Sequence, residues 1–267
     1  MVTKIAVSGA AGRMGRTLVD AISADASSEL VHAFDQPNNG QVGLDAGAVA
    51  GLAPVAVTVT DSIDGPTFDV LIEFTTPEAT LAHLAFCRQH RRCMVIGTTG
   101  LEEEHQLALA DAANDIAILQ APNMSAGVNL TFKLLDIAAR ALGDGVDVEV
   151  IEAPHRHKVD APSGTALRMG KVVADALGRD LDTHGVFSRH GYTGERDPKA
   201  IGFATVRASD IVGEHTVFFA GPGERIEITH RSSSRMTFAA GAVRAANWLI
   251  GQSVGLYDMR DLLGLKD

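Results

Sequence analysis

With 267 residues, the chain has room for one large domain or two modest ones, and its formal net charge of −10 argues against a broad nucleic-acid surface, which needs a basic stripe to neutralise phosphates. Hydrophobic residues at 46% and charged residues at 21% give the balance of a soluble globular protein, and no stretch approaches the ~20 continuous apolar residues of a membrane span. Aromatics are only 5%, so the core is expected to rest on Ala, Val, Ile and Leu.

The first half alternates short β-rich runs with helical patterns. Residues 4–8 read as a strand, 13–24 as a helix, and 29–35, 55–60 and 68–75 as further strands. A helix over 79–90 carries Leu81, Leu84, Ala85 and Arg88 at helical spacing. A strand at 93–98, a helix at 102–114 and a strand at 116–120 follow. Short, nearly all-apolar strands between helices predict a Rossmann-like, doubly wound α/β domain with a parallel sheet covered on both faces.

The pattern changes after Asn123. A long helix over 128–142 leads into 146–153, where Val146, Val148 and Val150 alternate with Asp147 and Glu149, as on a sheet with one face packed and one wet. A helix at 165–177 precedes strands at 202–207, 215–220 and 225–230, joined by Gly-rich turns, and a last helix covers 238–250. Successive strands without intervening helices predict a separate α+β domain on a mixed or antiparallel sheet.

Nucleotide chemistry is concentrated where the first strand meets the first helix, at Gly9-Ala10-Ala11-Gly12-Arg13-Met14-Gly15. Gly9 permits a tight turn, Gly12 lets a pyrophosphate approach the backbone, and Gly15 lets helix and strand pack closely. The first position of the usual G-x-G-x-x-G is Ala10 here. Asp35 ends the second strand, twenty residues beyond Gly15, where a carboxylate accepts from ribose hydroxyls. Gln36 and Pro37 follow it with no cation to meet a 2′-phosphate, which favours NADH. Arg13 and Arg16 at the helix start keep NADPH open. Two further loops at strand ends, Gly97-Thr98-Thr99-Gly100 and Ala121-Pro122-Asn123-Met124, are suited to a nicotinamide ribose and carboxamide.

The densest polar chemistry runs from Glu152 to Ala166. His155, Arg156, His157 and Lys158 leave a strand. Ser163, Gly164 and Thr165 then open a helix, offering backbone N–H groups and hydroxyls to an anion. Lys158 is a compact positive charge able to bind a carboxylate or donate a proton. A small substrate with two carboxylates fits this arrangement. His155 and His157 lie two apart with no cysteine near, so no metal site is expected. Cys87 and Cys93, six apart, read as buried thiols. The N-terminus, Met1-Val2-Thr3-Lys4, runs directly into a strand pattern without the ordered regions of a secretion signal, so a reduced, cytoplasmic protein is expected.

Nearly end to end, the sequence resembles the dihydrodipicolinate reductase family, enzymes of the diaminopimelate and lysine pathway that reduce 4-hydroxy-tetrahydrodipicolinate. The resemblance rests on V-S-G-A-A-G-R-M-G-R at the N-terminus, F-T-T-P at 74–77, G-T-T-G at 97–100, K-V-D-A-P-S-G-T-A at 158–166, G-F-A-T-V-R at 202–207 and I-V-G-E-H-T at 211–216. Of these the K-x-D-A-P-S-G-T segment is the most specific. The resemblance implies a dinucleotide-binding domain over 1–125 and 236–267, closed by the C-terminal helix, and a substrate-binding and oligomerisation domain over 126–235 that forms a homotetramer. It implies dual use of NADH and NADPH, with cofactor contacts from Gly9, Ala10, Ala11, Gly12, Arg13, Met14, Asp35, Gly97, Thr98, Thr99, Ala121, Pro122, Asn123 and Met124. It gives His155, Lys158, Gly164 and Thr165 to the substrate. Two positions depart from the family pattern. Pro154 stands where the family carries the first of two histidines, usually its acid/base, and Gln36 stands where relatives often carry an arginine for the 2′-phosphate. With that histidine absent, Lys158 is the expected proton donor and His155 assists. The alternatives are a non-catalytic nucleotide-binding sensor of the same fold, weakened at Pro154, and a reductase of another carbonyl or imine.

Overall fold

The computed structural model describes residues 2–266. From the N-terminus, β1 (Thr3–Ser8), α1 (Arg13–Ala24), β2 (Ser28–Phe34), α2 (Ala46–Ala50) and β3 (Val59–Thr60) come first. They are followed by β4 (Val70–Glu73), α3 (Pro77–Gln89), β5 (Cys93–Ile96), α4 (Glu103–Ala112) and β6 (Ala117–Gln120). Next come α5 (Ala126–Leu142), β7 (Asp147–Ala153), α6 (Gly164–Ala176), α7 (Leu181–His184) and β8 (Gly185–Val186). The chain continues through β9 (Ile201–Thr205), β10 (Gly213–Gly221) and β11 (Glu224–Ser232), and ends with α8 (Met236–Leu249), β12 (Gly255–Tyr257) and α9 (Met259–Leu263). It divides into two compact units, Met1–Ala126 with Arg235–Asp267, and Gly127–Ser234. Among the described residues no helix is long and apolar enough to cross a membrane.

The first unit is a parallel seven-stranded sheet in the order β12-β6-β5-β4-β1-β2-β3. Strands buried on both faces read as continuous apolar runs, and β4, β5 and β6 do so because helices cover both sides. On one face Ile5, Val7, Val70, Ile72 and Leu119 pack with Leu18 and Ile22 of α1 and with Ala242 and Leu249 of α8. On the other, Ala6, Leu71, Met94 and Ile118 pack with Leu84 and Cys87 of α3 and Leu109 of α4. Burial pushes the Cys87 and Cys93 thiols up, which keeps both protonated. The chain winds outward from β1 to β3 and returns to β4, so the strand order reverses between β1 and β4. Open α/β sheets bind ligands at the carboxyl ends of the strands beside such a reversal.

The second unit is a mixed five-stranded sheet, β11-β10-β7-β9-β8, antiparallel across β11-β10-β7 and parallel across β7-β9-β8. One face carries Val148, Val150, Val217, Phe219 and Phe203 against Leu135 and Ala139 of α5 and Met169 and Val173 of α6. The alternation read at 146–153 is the alternation of β7, whose second, fourth and sixth residues are buried.

Two local differences from the sequence pattern have physical causes. The strand expected over 55–60 is paired in the sheet only at Val59–Thr60. The Asp45 carboxylate caps α2, accepting from Ala48 N at 3.1 Å, and also takes Val55 N at 3.0 Å, so it holds that stretch against α2. The seventh strand, β12, is three residues long, too short for any period to show.

The approach of α8 to the loop after β6 leaves no room for a side chain: a Cβ at Gly241 would lie inside contact distance of the Met124 carbonyl oxygen. Gly241→Ala is expected to lower stability by about 1–3 kcal/mol through forced separation of helix and loop. A urea midpoint unchanged within ~0.5 kcal/mol would refute the close approach.

Candidate functional site

At the carboxyl end of β1, Gly9 adopts φ 67°, the left-handed turn that lets the chain reverse into α1. A Cβ at Gly15 would run into the Gly9 carbonyl oxygen, and one at Gly12 would lie 3.1 Å from it. Gly12 is exposed, so bare backbone faces outward at the N-terminus of α1. That is a cradle a pyrophosphate fits and any side chain would fill. Ala10 and Ala11 are buried beneath it, Met14 is half-buried, and Arg13 is exposed. The Arg16 Nε donates to the Ala11 carbonyl at 2.9 Å, which ties one of the two arginines of the helix start to the loop itself.

Asp35, at the end of β2, is brought onto this loop. Its Oδ2 accepts from Ala11 N at 2.9 Å, while Oδ1 accepts from Gln36 N at 2.8 Å and from Asn39 Nδ2 at 3.0 Å. Gln36 itself is exposed. The loop after β5 buries Gly97 and Thr98 and exposes Thr99. In the loop after β6, Ala121 is buried, Pro122 is exposed, and Asn123 Oδ1 accepts from Ser125 N at 2.9 Å. Met124 is fully buried in the core, so that residue has only backbone to offer a ligand.

In the second unit the chain leaves β7 at Pro154 and turns through His155, whose carbonyl accepts from Lys158 N at 3.1 Å. The rings of His155 and His157 stand 6.3 Å apart. Lys158 Nζ pairs with Asp160 Oδ1 at 2.8 Å and keeps about a quarter of its side chain in water. That ammonium, through its hydrogen bond, holds the Asp160 carboxyl below the usual range. Ser163 caps α6: its Oγ accepts from Ala166 N at 3.2 Å. Its own N–H goes to Glu152 Oε2 at 3.0 Å, and its Oγ meets His215 Nε2 at 3.2 Å. Ser163 is therefore fixed on three sides. Gly164 is exposed beside it, with Thr165 half-buried.

Several residues of this region were given no role by the sequence pattern. Glu152 is 1% exposed and takes Arg207 Nη1 at 2.9 Å. Arg207 Nη2 also donates to the Asp160 carbonyl, which staples the lysine-bearing turn to the sheet. His215 and His230 face each other across β10 and β11, and the Nδ1 of each is buried with no hydrogen-bond partner among the described residues. Burial holds the His215 imidazole down at about 4, against a partial lift from Glu152. His230 is lowered by burial as well. A usable signal was present: Glu152 falls on the inward phase of the Val148, Val150 alternation, where a charge needs partners.

Comparison with known proteins gives one answer over the whole length. Residues 3–124 match the family model described as dihydrodipicolinate reductase, N-terminus, and residues 127–263 match dihydrodipicolinate reductase, C-terminus. The chain is 58% identical over 265 residues to a 4-hydroxy-tetrahydrodipicolinate reductase of Laribacter hongkongensis, covering 98% of each sequence. It is 59% identical over 267 residues to the enzyme of that name from Alkalilimnicola ehrlichii, covering 99% of this chain and all of the relative. Among solved structures, the dipicolinate-bound dihydrodipicolinate reductase from Paenisporosarcina sp. TG-14 aligns with a TM-score of 0.75 at 24% identity, over 97% of this chain and 98% of that one. GenD2 from gentamicin A biosynthesis, solved with NAD, aligns with a TM-score of 0.60 at 16% identity, over 99% and 91%. At those identities the two structures speak for the fold alone.

The buried imidazole of His215 makes stability depend on pH in a defined window. Its folded value of about 4 lies below the ordinary 6.5, so between these pH values the unfolded chain binds a proton that the folded chain does not. Unfolding free energy should therefore fall as pH drops from about 6.5 to about 4, by on the order of 3 kcal/mol from this group alone, and then level off. Urea melts across that range, repeated on His215→Gln, should show a flatter slope in the variant. Equal slopes would mean the imidazole is not buried neutral.

Proposed function

Because the chain belongs to the dihydrodipicolinate reductase family, we propose that it transfers hydride from NADH or NADPH to 4-hydroxy-tetrahydrodipicolinate, giving tetrahydrodipicolinate in diaminopimelate and lysine biosynthesis. The observation that carries the reading is full-length identity of 58% and 59% with two reductases of that name. The bare backbone cradle at Gly9, Gly12 and Gly15 supports the cofactor half of it.

In the first unit, Gly9, Ala10, Ala11, Gly12, Arg13 and Met14 receive the pyrophosphate on backbone N–H groups and the α1 N-terminus. Asp35 accepts from the adenosine ribose hydroxyls. Gly97, Thr98 and Thr99, with Ala121, Pro122, Asn123 and Met124, bind the nicotinamide end. NADH is the favoured cofactor: a carboxylate faces the 2′ position, Gln36 beside it carries no charge, and Arg16 is held by the Ala11 carbonyl.

In the second unit, His155, Lys158, Ser163, Gly164 and Thr165 hold the dicarboxylate. Gly164 and Thr165 open a helix whose positive end favours an anion, with Ser163 fixing its geometry. When bound, the reduced nicotinamide supplies the hydride, which no side chain can. Lys158 neutralises a carboxylate and delivers the proton that balances the hydride, and the paired Asp160 keeps the ammonium oriented. His155 assists in positioning. The enzyme works in the cytoplasm as a homotetramer assembled through the second unit. The edge strand β11 has a strand on one side only, the kind of open edge that a second subunit can cover.

Steady-state NADH oxidation with freshly generated 4-hydroxy-tetrahydrodipicolinate tests the reaction, and cofactor binding without turnover would favour a sensor. Lys158→Met should cost more kcat than Pro154→His gains, within the ~10²–10⁴ range of a positioned acid. Near-normal kcat in Lys158→Met, with a several-hundredfold gain in Pro154→His, would move the acid to the histidine this chain lacks. For the cofactor, kcat/KM should be at least as high with NADH as with NADPH, and Gln36→Arg should shift the ratio toward NADPH. A native NADPH preference above about tenfold, ~1.4 kcal/mol, would defeat the argument from Asp35.

A further inference from the structure

Glu73 is the last residue of β4, beside the point where the strand order reverses, and its side chain is fully buried. Donors from three directions converge on its two oxygens. Thr80 Oγ1 of α3 reaches Oε1 at 2.7 Å and Thr98 Oγ1 of the β5 loop reaches the same oxygen at 3.0 Å. Thr75 Oγ1 donates to Oε2, which His83 Nδ1 approaches at 3.3 Å. Thr98 Oγ1 accepts in turn from Thr75 N at 2.8 Å, which aims its own proton at the carboxylate. Four partners on two oxygens satisfy a carboxylate, which is an acceptor only, without water. His83 spans onward: its Nε2 lies 3.4 Å from the hydroxyl of Ser8, the residue before Gly9. With Nδ1 toward Glu73 and Nε2 toward Ser8, both ring nitrogens of His83 are engaged by the network.

We propose that Glu73 is a positioning residue for the nicotinamide: it ties together the loops after β1, β4 and β5, and its buried charge favours the oxidised, cationic ring over the reduced, neutral one. The inference rests on the assignment of Thr98 and its loop to the nicotinamide end of the cofactor. A fixed negative charge in a dry environment acts with little screening. The nicotinamide gains a positive charge as it gives up hydride, so such a charge helps the donor half of the reaction, while the pyrophosphate carries the same charge in both redox forms and does not distinguish them. A purely structural brace would affect both redox forms of the cofactor alike.

The test is a pair of dissociation constants, from NADH fluorescence titration and from competition by NAD⁺, for the wild type and Glu73→Gln. Gln fills nearly the same volume without charge and keeps one acceptor oxygen, its NH2 taking the place of the other. NAD⁺ binding should weaken on the order of tenfold more than NADH binding. If Glu73→Gln does not fold by thermal melt, Glu73→Met with His83→Leu removes the buried polar pair together, an exchange cores often tolerate, and the same ratio is read. Equal weakening of both forms, or no change in either, overturns the inference while leaving the reductase reading intact. Wild-type protein that binds neither form would overturn the cofactor assignment and this inference with it.

Discussion

A carboxylate at a strand end, stripped of water, has to be met by donors from whatever chain lies beyond it, and both units of this protein are organised around that demand. Glu73 ends β4 at 0% exposure, and Glu152 stands one residue before the end of β7 at 1%. Removing the partners of a buried charge costs about 3–5 kcal/mol, whereas an exposed pair such as Arg140–Asp136 contributes roughly 0–1. The segments that answer these two carboxylates are therefore tied to the sheet, although several of them lack regular structure. Thr75, Thr80 and Thr98 answer Glu73. Ser163 N–H and Arg207 answer Glu152. These are the loops that carry G-T-T-G and the start of α6, and rigid placement is what a ligand-binding loop requires.

How far the sequence could be read follows from the range of the forces involved. The strand-turn-helix at Gly9–Gly15 was legible because the glycines answer local backbone demands: positive φ at Gly9 and close approach at Gly15. Helix α3 was legible from the helical spacing of Leu81, Leu84, Ala85 and Arg88, although it starts two residues before 79, where Thr76 caps Ala79 N and Pro77 fills the first turn. Glu73, His83, His215 and Arg207 were not, because their meaning lies in partners 10 to 75 residues away. Glu73 sat inside a run read as strand, and only its type, an acid after Val70-Leu71-Ile72, hinted at a network. Asp35 was found from its distance to the glycine loop, but its bond to Ala11 N could not be.

Pro154 shows how a departure from a motif can be compatible with the fold. Beyond β7 the pairing with the neighbouring strand continues through alternate carbonyls: Glu152 O accepts from Val206 N at 2.8 Å and Pro154 O from Ala208 N at 3.2 Å. Position 154 contributes its carbonyl to this ladder, and the last residue of β7 paired with β10 is Ala153. In the parallel register an N–H at position 154 would meet the Val206 carbonyl, which here takes Arg207 Nη1 at 2.8 Å instead, so the ring is accommodated at a strand end where proline is ordinarily tolerated. The turn that follows is held by other means, through Arg156 N on the Ser209 carbonyl at 3.1 Å and Arg207 on the Asp160 carbonyl. The fold therefore survives the exchange. What changes is chemical: the resemblance puts a titratable histidine at that position, and on the proposed reading Lys158, anchored by Asp160, takes the donor's part.

Asp35 bears on cofactor choice in a way that its position alone does not convey. It accepts three hydrogen bonds from its own surroundings, from Ala11 N, Gln36 N and Asn39 Nδ2. A carboxylate has about four lone-pair sites, so capacity remains for a ribose hydroxyl, which brings a donor. A 2′-phosphate brings only acceptors and two negative charges, and it would meet a carboxylate that cannot swing away without releasing the Ala11 N–H that shapes the glycine loop. On the proposed reading, discrimination against the phosphorylated cofactor then comes from the fold of the loop as much as from the missing arginine. A cation introduced at position 36 offsets the repulsion but leaves the brace in place, so the carboxylate continues to oppose the phosphate even with a positive charge beside it.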